Sequence, residues 1–180
     1  KNRKMILQNE FLGDAPIDLI SMDEMMDVCH TERDKSRFNI LNALTVAILE
    51  KQFKCKEIGI ITPYRAQAAL IKALVQNENG KNIAVSTVHQ FQGSERDIII
   101  FDTVDSYRQK MAGPMFGNAK NDYANRLFNV AITRSRSKFI LIANERFFKD
   151  RISGKFLVKK ILTSPQYKKN HISAADLYAD

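Results

Sequence analysis

The sequence lacks tryptophan, has only two cysteines and contains no long hydrophobic run. Cys29 and Cys55 are too few for a disulfide framework and have no metal-ligand spacing, which favours a reducing cytoplasm or nucleus. The longest apolar runs, such as IGII and KFILIA, are much shorter than the roughly 20 residues of a membrane-spanning helix. These absences predict a soluble cytoplasmic protein.

The pattern of a phosphate-cradling P-loop is missing as well. No G-x-x-x-x-G-K-[ST] stretch occurs in the sequence, so the glycine-rich turn and its lysine are both absent. The stretch DLISMDE resembles a Walker B strand, with Asp23 and Glu24 after an apolar run, but without a P-loop we interpret it as an ordinary strand end. The opening KNRKMILQNE has neither an initiator methionine nor a signal-peptide core, so we expect the numbering to begin inside a larger polypeptide.

Positive charge is what the sequence has in excess. Lysine and arginine number 28 against 20 aspartate and glutamate, which gives a formal net charge of +8 and a pI near 9.5. Such a balance favours an acidic partner, nucleic acid first and an anionic membrane surface second, although solubility alone also explains it. The length of 180 residues predicts one domain with a substantial core.

Apolar stretches of strand length alternate with helical patterns along the chain. The predicted strands are 17–22, 57–61, 83–87, 97–103 and 138–143. The predicted helices are 38–53 and 67–75, each with one apolar face. Because the strands are continuously apolar, they predict an α/β fold, with a mostly parallel sheet and helices on both faces. In such a sheet, ligands bind at the carboxyl ends of the strands.

Two regions depart from this pattern. Residues 106–121 carry three glycine or proline residues without periodicity and predict a long surface loop. After residue 143 the chain predicts short helical pieces and a polar, lysine-rich end. We therefore expect the main domain over residues 1–150 and a helical extension with a polar tail over residues 151–180.

The segment ITPYRAQ joins a predicted strand to a predicted helix. Thr62 can cap that helix, and Pro63 suits its first turn. Free N–H groups at a helix start beside a strand end can bind an anion. Taken alone, the segment is more simply explained as an ordinary strand-to-helix junction.

The segment STVHQFQGSERD has the same arrangement with more reactive side chains. Ser86, Thr87 and His89 could contact phosphate or sugar, and Gly93 permits a close approach of the backbone. Glu95 could hold a ribose hydroxyl or a metal-bound water. Each of these residues alone has a structural explanation, but together between two buried strands they favour a ligand site.

The segment NRLFNVAITRSRSKF is the third candidate. If residues 125–135 are helical, Arg134 lies at the helix end, where a basic side chain complements the helix dipole. Asn129 and Thr133 would then lie beneath the arginines and could hold a guanidinium in a fixed pose, which suits a phosphate contact.

Together, ITPYRAQ, TVHQFQGSERDIII and NVAITRSR resemble the second RecA-like domain of superfamily 1 helicases, in order and in spacing. The resemblance covers roughly residues 15–145 and is nearest to the branch that contains the RNA-surveillance and Okazaki-fragment helicases. SRFNILNA, at 36–43, also resembles the helix that precedes ITPYRAQ in that family. The resemblance implies a RecA-like P-loop NTPase fold and action on single-stranded DNA or RNA. It also implies ATP with Mg²⁺ at a site shared with a first RecA-like domain of the same polypeptide.

The resemblance also implies residue roles. It assigns nucleotide contacts to Gly93, Glu95, Arg134 and Arg136, with Arg134 as the arginine finger and Glu95 as a second catalytic group. It assigns nucleic-acid contacts to Thr62, Pro63, Tyr64, Thr87 and His89, with Gln67 supporting their loop. No metal ligand is assigned to this chain, and we expect the 180 residues alone to be monomeric and inactive.

The sequence departs from the family at several positions. Asp105 occupies a place where many relatives have arginine, so a contact made by that arginine is not expected here. Asn42 replaces a common glutamate, and Leu127 lies where a second arginine is frequent. His89 is aspartate in some relatives and histidine in others, so it does not distinguish DNA from RNA.

Two other functions compete with the helicase interpretation. A metal-dependent nuclease could use Glu95, Asp97, Asp102 and Asp105, but Asp97 and Asp102 are five apart on a strand and would face opposite sides. A RecA-like module without catalysis could bind nucleic acid or protein alone. The presence of Arg134, Gly93 and Glu95 favours the helicase over this second alternative.

Overall fold

The structure, a computed structural model, describes residues 12, 15–53, 57–75, 82–91, 95–113, 116, 123–152, 154–165 and 170–179. Its strands are β1 (Ile17–Ser21), β2 (His30–Thr31), β3 (Arg37–Phe38), β4 (Glu57–Thr62), β5 (Asn82–Thr87), β6 (Arg96–Asp102), β7 (Ser135–Ala143) and β8 (His171–Ser173). Six of them form one sheet in the order β5-β4-β6-β7-β1-β8, with every neighbouring pair parallel. β2 and β3 form a separate antiparallel hairpin.

Helices cover both faces of this sheet. They are α1 (Ile40–Gln52), α2 (Arg65–Leu74), α3 (Tyr123–Thr133), α4 (Glu145–Arg151), α5 (Leu157–Thr163) and a 3-10 helix (Ala174–Tyr178). A phenylalanine-rich core that includes Phe101 and Phe139 lies on the face with α3, α4 and α5. An aliphatic core that includes Ile60 and Ile100 lies on the face with α1 and α2. The predicted α/β class with a parallel sheet is confirmed.

No helix in the described part of the chain is long and apolar enough to cross a membrane.

All five predicted strands are present, because the apolar runs fill the interior on both faces of the sheet. The predicted cap of the helix after β4 is wrong. Thr62 is the last residue of β4, and α2 begins only at Arg65. The hydroxyl of Ser36 accepts the hydrogen bond from the N–H of Ala66 at 3.0 Å instead. Pro63 therefore precedes the helix and does not lie in its first turn.

The end of the chain is part of the main sheet. β8 pairs in parallel with β1, and Leu177 of the 3-10 helix is buried in the aliphatic core. The hydroxyl of Tyr178 lies 3.0 Å from the hydroxyl of Thr45 in α1. The region predicted as an extension with a polar tail thus contributes a strand and core contacts that the sequence pattern did not indicate.

Candidate functional site

The predicted site residues lie at two opposite ends of the sheet. Thr62, Pro63, Tyr64, Thr87 and His89 are at or just beyond the carboxyl ends of β4 and β5. Glu95, Arg134 and Arg136 are beside the amino ends of β6 and β7. β6 has seven residues, which separates the two ends by roughly 20 Å. Gly93 lies outside the described residues.

Phe91, in the segment that follows β5, is fixed by a backbone hydrogen bond and by burial of its ring. The N–H of Phe91 donates to the carbonyl oxygen of Thr87 at 3.2 Å, and its ring is 3 % exposed. The ring lies over Gly59 of β4, where a Cβ atom would be only 2.4 Å from Phe91 Cζ. Gly59 is therefore required for this position of the Phe91 ring.

At the amino ends, Arg136 is held by three carboxylates. Its Nη1 lies 2.7 Å from Glu57 Oε2 and 3.3 Å from Asp97 Oδ1. Its Nε lies 3.6 Å from Glu95 Oε2, and its Nη2 donates to the carbonyl oxygen of Glu95 at 3.4 Å. Because the side chains of Arg136 and Glu95 are about half exposed, 47 % and 56 %, these pairs contribute little to stability. They orient the carboxylate of Glu95.

Arg134 differs from Arg136 in its partners. Its backbone is fixed, because the N–H of Arg96 donates to its carbonyl oxygen at 3.0 Å. Its Nε is buried and has no hydrogen-bond partner among the described residues. A buried N–H without a partner is unfavourable, by about 1–3 kcal/mol, and needs an explanation. Arg96 Nε is in the same condition, so this feature alone does not assign a ligand to Arg134.

The expected side-chain supports of Arg134 do not hold it. Thr133 Oγ1 donates to the carbonyl oxygen of Val130 within its own helix, at 3.0 Å. Asn129 is exposed on α3. The Thr133 proton is thus used by its own helix backbone, and no hydrogen bond joins Thr133 or Asn129 to Arg134 among the described residues.

At the carboxyl ends, three of the five predicted nucleic-acid contacts, Thr62, Tyr64 and Thr87, are buried. Thr62 is fully buried, and its Oγ1 has no hydrogen-bond partner in the described part of the chain. Tyr64 is 8 % exposed, and its hydroxyl donates to Asp105 Oδ1 at 2.8 Å. Thr87 is also 8 % exposed, whereas Pro63 is half-buried and His89 exposed. Burial favours a supporting role for Thr62 and Tyr64, and accessibility favours contact by Pro63 and His89.

Gln67 connects three segments beneath these loops. Its Oε1 accepts from the N–H of Asn39 at 2.8 Å, and its Nε2 donates to Asp102 Oδ2 at 2.6 Å. Asn42 Nδ2 donates to the other oxygen, Asp102 Oδ1, at 2.8 Å. The buried carboxylate at the end of β6 is thus held by α1 and α2 together. The sequence predicted that Gln67 supports the loop of Thr62, Pro63 and Tyr64, whereas its side-chain hydrogen bonds in the described part of the chain go to Asn39 and Asp102.

The four acids of the nuclease alternative do not converge. Glu95 and Asp97 lie at the amino end of β6 and contact Arg136. Asp102 and Asp105 lie at or just beyond its carboxyl end and are buried. A single metal ion cannot bind groups at both ends of a strand of this length. The described residues contain no group of three or more histidine, cysteine, aspartate or glutamate side chains that could hold a metal ion.

We predict that stability decreases as the pH rises from about 4 to about 6. Burial raises the pKa of Asp102 to about 6, so the folded chain holds a proton that the unfolded chain releases near pH 4. Protonated Asp102 contributes about 2–3 kcal/mol to the free energy of unfolding. This contribution is complete below the pKa of Asp102 in the unfolded chain and is lost as the pH rises through its pKa in the folded chain. Urea unfolding across this range measures it. Asp102→Asn should flatten the slope, and an unchanged slope would contradict the assignment.

The parallel sheet, with helices on both faces and candidate ligand groups at its two ends, defines the class as a RecA-like domain. Residues 16–146 match the family model described as AAA domain. The chain therefore belongs to this AAA domain family, as a C-terminal RecA-like domain of the superfamily 1 helicases.

Three relatives illustrate the similarity. The RNA helicase Mov10l1 of Mus musculus is 37 % identical over 98 residues, which cover 53 % of this chain and 8 % of the relative. The helicase sen1 of Schizosaccharomyces pombe is 37 % identical over 117 residues, 60 % of this chain and 6 % of the relative. An uncharacterized ATP-dependent helicase of Methanocaldococcus jannaschii is 32 % identical over 148 residues, which cover 79 % of this chain and 20 % of the relative. The chain thus matches only a small part of each relative's length.

Proposed function

We propose that this domain is the second motor domain of an ATP-dependent helicase or translocase that acts on single-stranded nucleic acid. One observation carries the proposal. The buried Nε of Arg134 lacks a partner in the described residues, while the neighbouring Arg136 forms ion pairs with three carboxylates. An arginine finger needs a fixed backbone and a free guanidinium. Two observations support this role for Arg134: its carbonyl oxygen accepts a hydrogen bond from the N–H of Arg96, and its Nε has no partner among the described residues.

The nucleotide contacts that we propose lie at the amino ends of β6 and β7. Arg134 would stabilise negative charge on the γ-phosphate, and Glu95, oriented by Arg136, would accept a hydrogen bond from the ribose. Gly93 would allow the backbone to approach. The phosphate cradle and the Mg²⁺ ligands would come from a first RecA-like domain of the same polypeptide, because the 180 residues contain no P-loop pattern. ATP supplies the free energy for movement along the strand.

The strand contacts that we propose lie at the carboxyl ends of β4 and β5. Pro63 and His89 are accessible there, and Thr87 is the last residue of β5, two positions before His89. His89 and Glu95 are only six positions apart in the sequence, and we propose that this short segment couples the nucleotide site to the strand site.

We expect the 180-residue chain to bind single strands weakly, with little sequence preference and with affinity that falls as salt increases. The reason is that contacts to the sugar-phosphate backbone carry no base information and release counterions. Fluorescence anisotropy with oligothymidylate and oligouridylate over a salt series measures this. A strong base preference, or an affinity independent of salt, would argue against the proposed strand site.

A further inference from the structure

A guanidinium outside the predicted site is fixed beside Tyr64. Arg37 is in β3, and its Nη1 donates to Asp105 Oδ1 at 2.8 Å and to the carbonyl oxygen of Met111 at 3.1 Å. Its guanidinium carbon lies 5.8 Å from the centre of the Tyr64 ring. A cation over an aromatic ring and a charge-assisted hydrogen bond together hold the group in one orientation.

The carboxylate that holds Arg37 is itself fixed by a strained turn. The N–H of Asp105 donates to the carbonyl oxygen of Thr103 at 2.7 Å, which closes a γ-turn around Val104. Val104 has a φ of 68°, a conformation that is rare for a β-branched residue and costs on the order of 1–3 kcal/mol. Strain of this kind is retained where the surrounding structure requires one position of a side chain.

Burial keeps a ligand away from Asp105, whereas Arg37 is partly exposed. The carboxylate of Asp105 is fully buried and also accepts from the Tyr64 hydroxyl at 2.8 Å and from the N–H of Gly113 at 2.6 Å. Arg37 keeps 16 % of its side chain exposed, and the described residues accept hydrogen bonds only from its Nη1. Within the described part of the chain, its Nε and Nη2 have no hydrogen-bond partner and lie side by side as a fork, the geometry that suits a phosphate.

We propose that Arg37 is a contact residue for the nucleic-acid backbone and binds one phosphate of the single strand that passes Pro63. This inference rests on the proposed function, since it adds a residue to the same strand path. Asp105 and Tyr64 are positioning residues, because they fix the guanidinium before the strand arrives. A preordered arginine loses less conformational freedom on binding than a mobile lysine does.

The test compares Arg37→Gln with Lys51→Gln, which removes the same charge from the exposed end of α1, near the amino ends of the strands. A short fluorescent oligothymidylate is titrated at several salt concentrations. We expect Arg37→Gln to weaken binding about tenfold and to reduce the salt slope by about 0.7, the value for one phosphate on a single strand. Lys51→Gln should change neither by more than a small amount.

Arg37→Lys serves as a second variant, because it keeps the charge and is expected to fold even if Arg37→Gln does not. It should bind several-fold more weakly than the unmodified chain with an unchanged salt slope, since the charge remains and the fork is lost. Thermal unfolding confirms that each variant is folded. Binding by Arg37→Lys equal to the unmodified chain would overturn the inference, as would an Arg37→Gln that behaves like Lys51→Gln. If the unmodified chain binds no oligonucleotide, the proposed function fails and this contact with it.

Discussion

Replacing Arg134 by alanine in the full-length protein should reduce ATP hydrolysis by about 10³- to 10⁵-fold, the range typical of arginine fingers. The reason is that charge on the transferring phosphoryl group increases in the transition state, where a positioned guanidinium stabilises it most. The structure supports this position because Arg134 Nε is buried without a described partner. Single-strand binding should persist, since Arg134 lies at the end of the sheet opposite to His89. Steady-state phosphate release with saturating oligonucleotide measures the effect.

Arg136→Ala is the matched control. Arg136 is already engaged with Glu57, Asp97 and Glu95, so its loss should disturb the orientation of Glu95 and raise the KM for ATP more than it lowers kcat. If Arg136→Ala reduced turnover more than Arg134→Ala did, the choice of finger would be wrong. If neither variant changed turnover, a RecA-like module without catalysis would be the better account.

The strands of the sheet could be predicted because continuous apolar runs have few other stable places in a chain of this length. β8 could not, because its sequence, His171–Ser173, has no apolar run, and the strand exists only by pairing with β1. The start of α2 was misjudged for a similar reason. Its cap comes from Ser36, about thirty residues earlier in the chain, and local sequence patterns contain no information about such a partner.

The candidate site was predicted in part. The resemblance assigned roles to Arg134 and Glu95 that stay predictions, and it did not indicate that Tyr64 would be covered, because that depends on Asp105. Arg37 was missed as a candidate altogether, since its partner Asp105 is 68 positions away. One signal for Arg37 was available in the sequence: Asp105 stands where many relatives have arginine. A buried acid in a basic chain requires a basic partner, and Arg37 is that partner.

The 180-residue chain alone should fold but should neither hydrolyse ATP nor bind it appreciably. In phosphoryl transfer, the P-loop backbone, its lysine and the Mg²⁺ ligands hold the phosphates, whereas an arginine finger stabilises charge on a nucleotide that is already in place. The sequence contains no P-loop pattern. A separately produced first domain could restore a little turnover, but the lost covalent link lowers its effective concentration.

Calorimetric titration of the purified 180-residue chain with ATP and Mg²⁺, combined with a phosphate-release assay, tests the central claim that these residues provide one side of a shared nucleotide site. We predict no measurable turnover and no heat of binding at micromolar ATP. Micromolar affinity, or steady hydrolysis that Arg134→Ala abolishes, would show that a complete ATP site exists within these residues and would contradict the account.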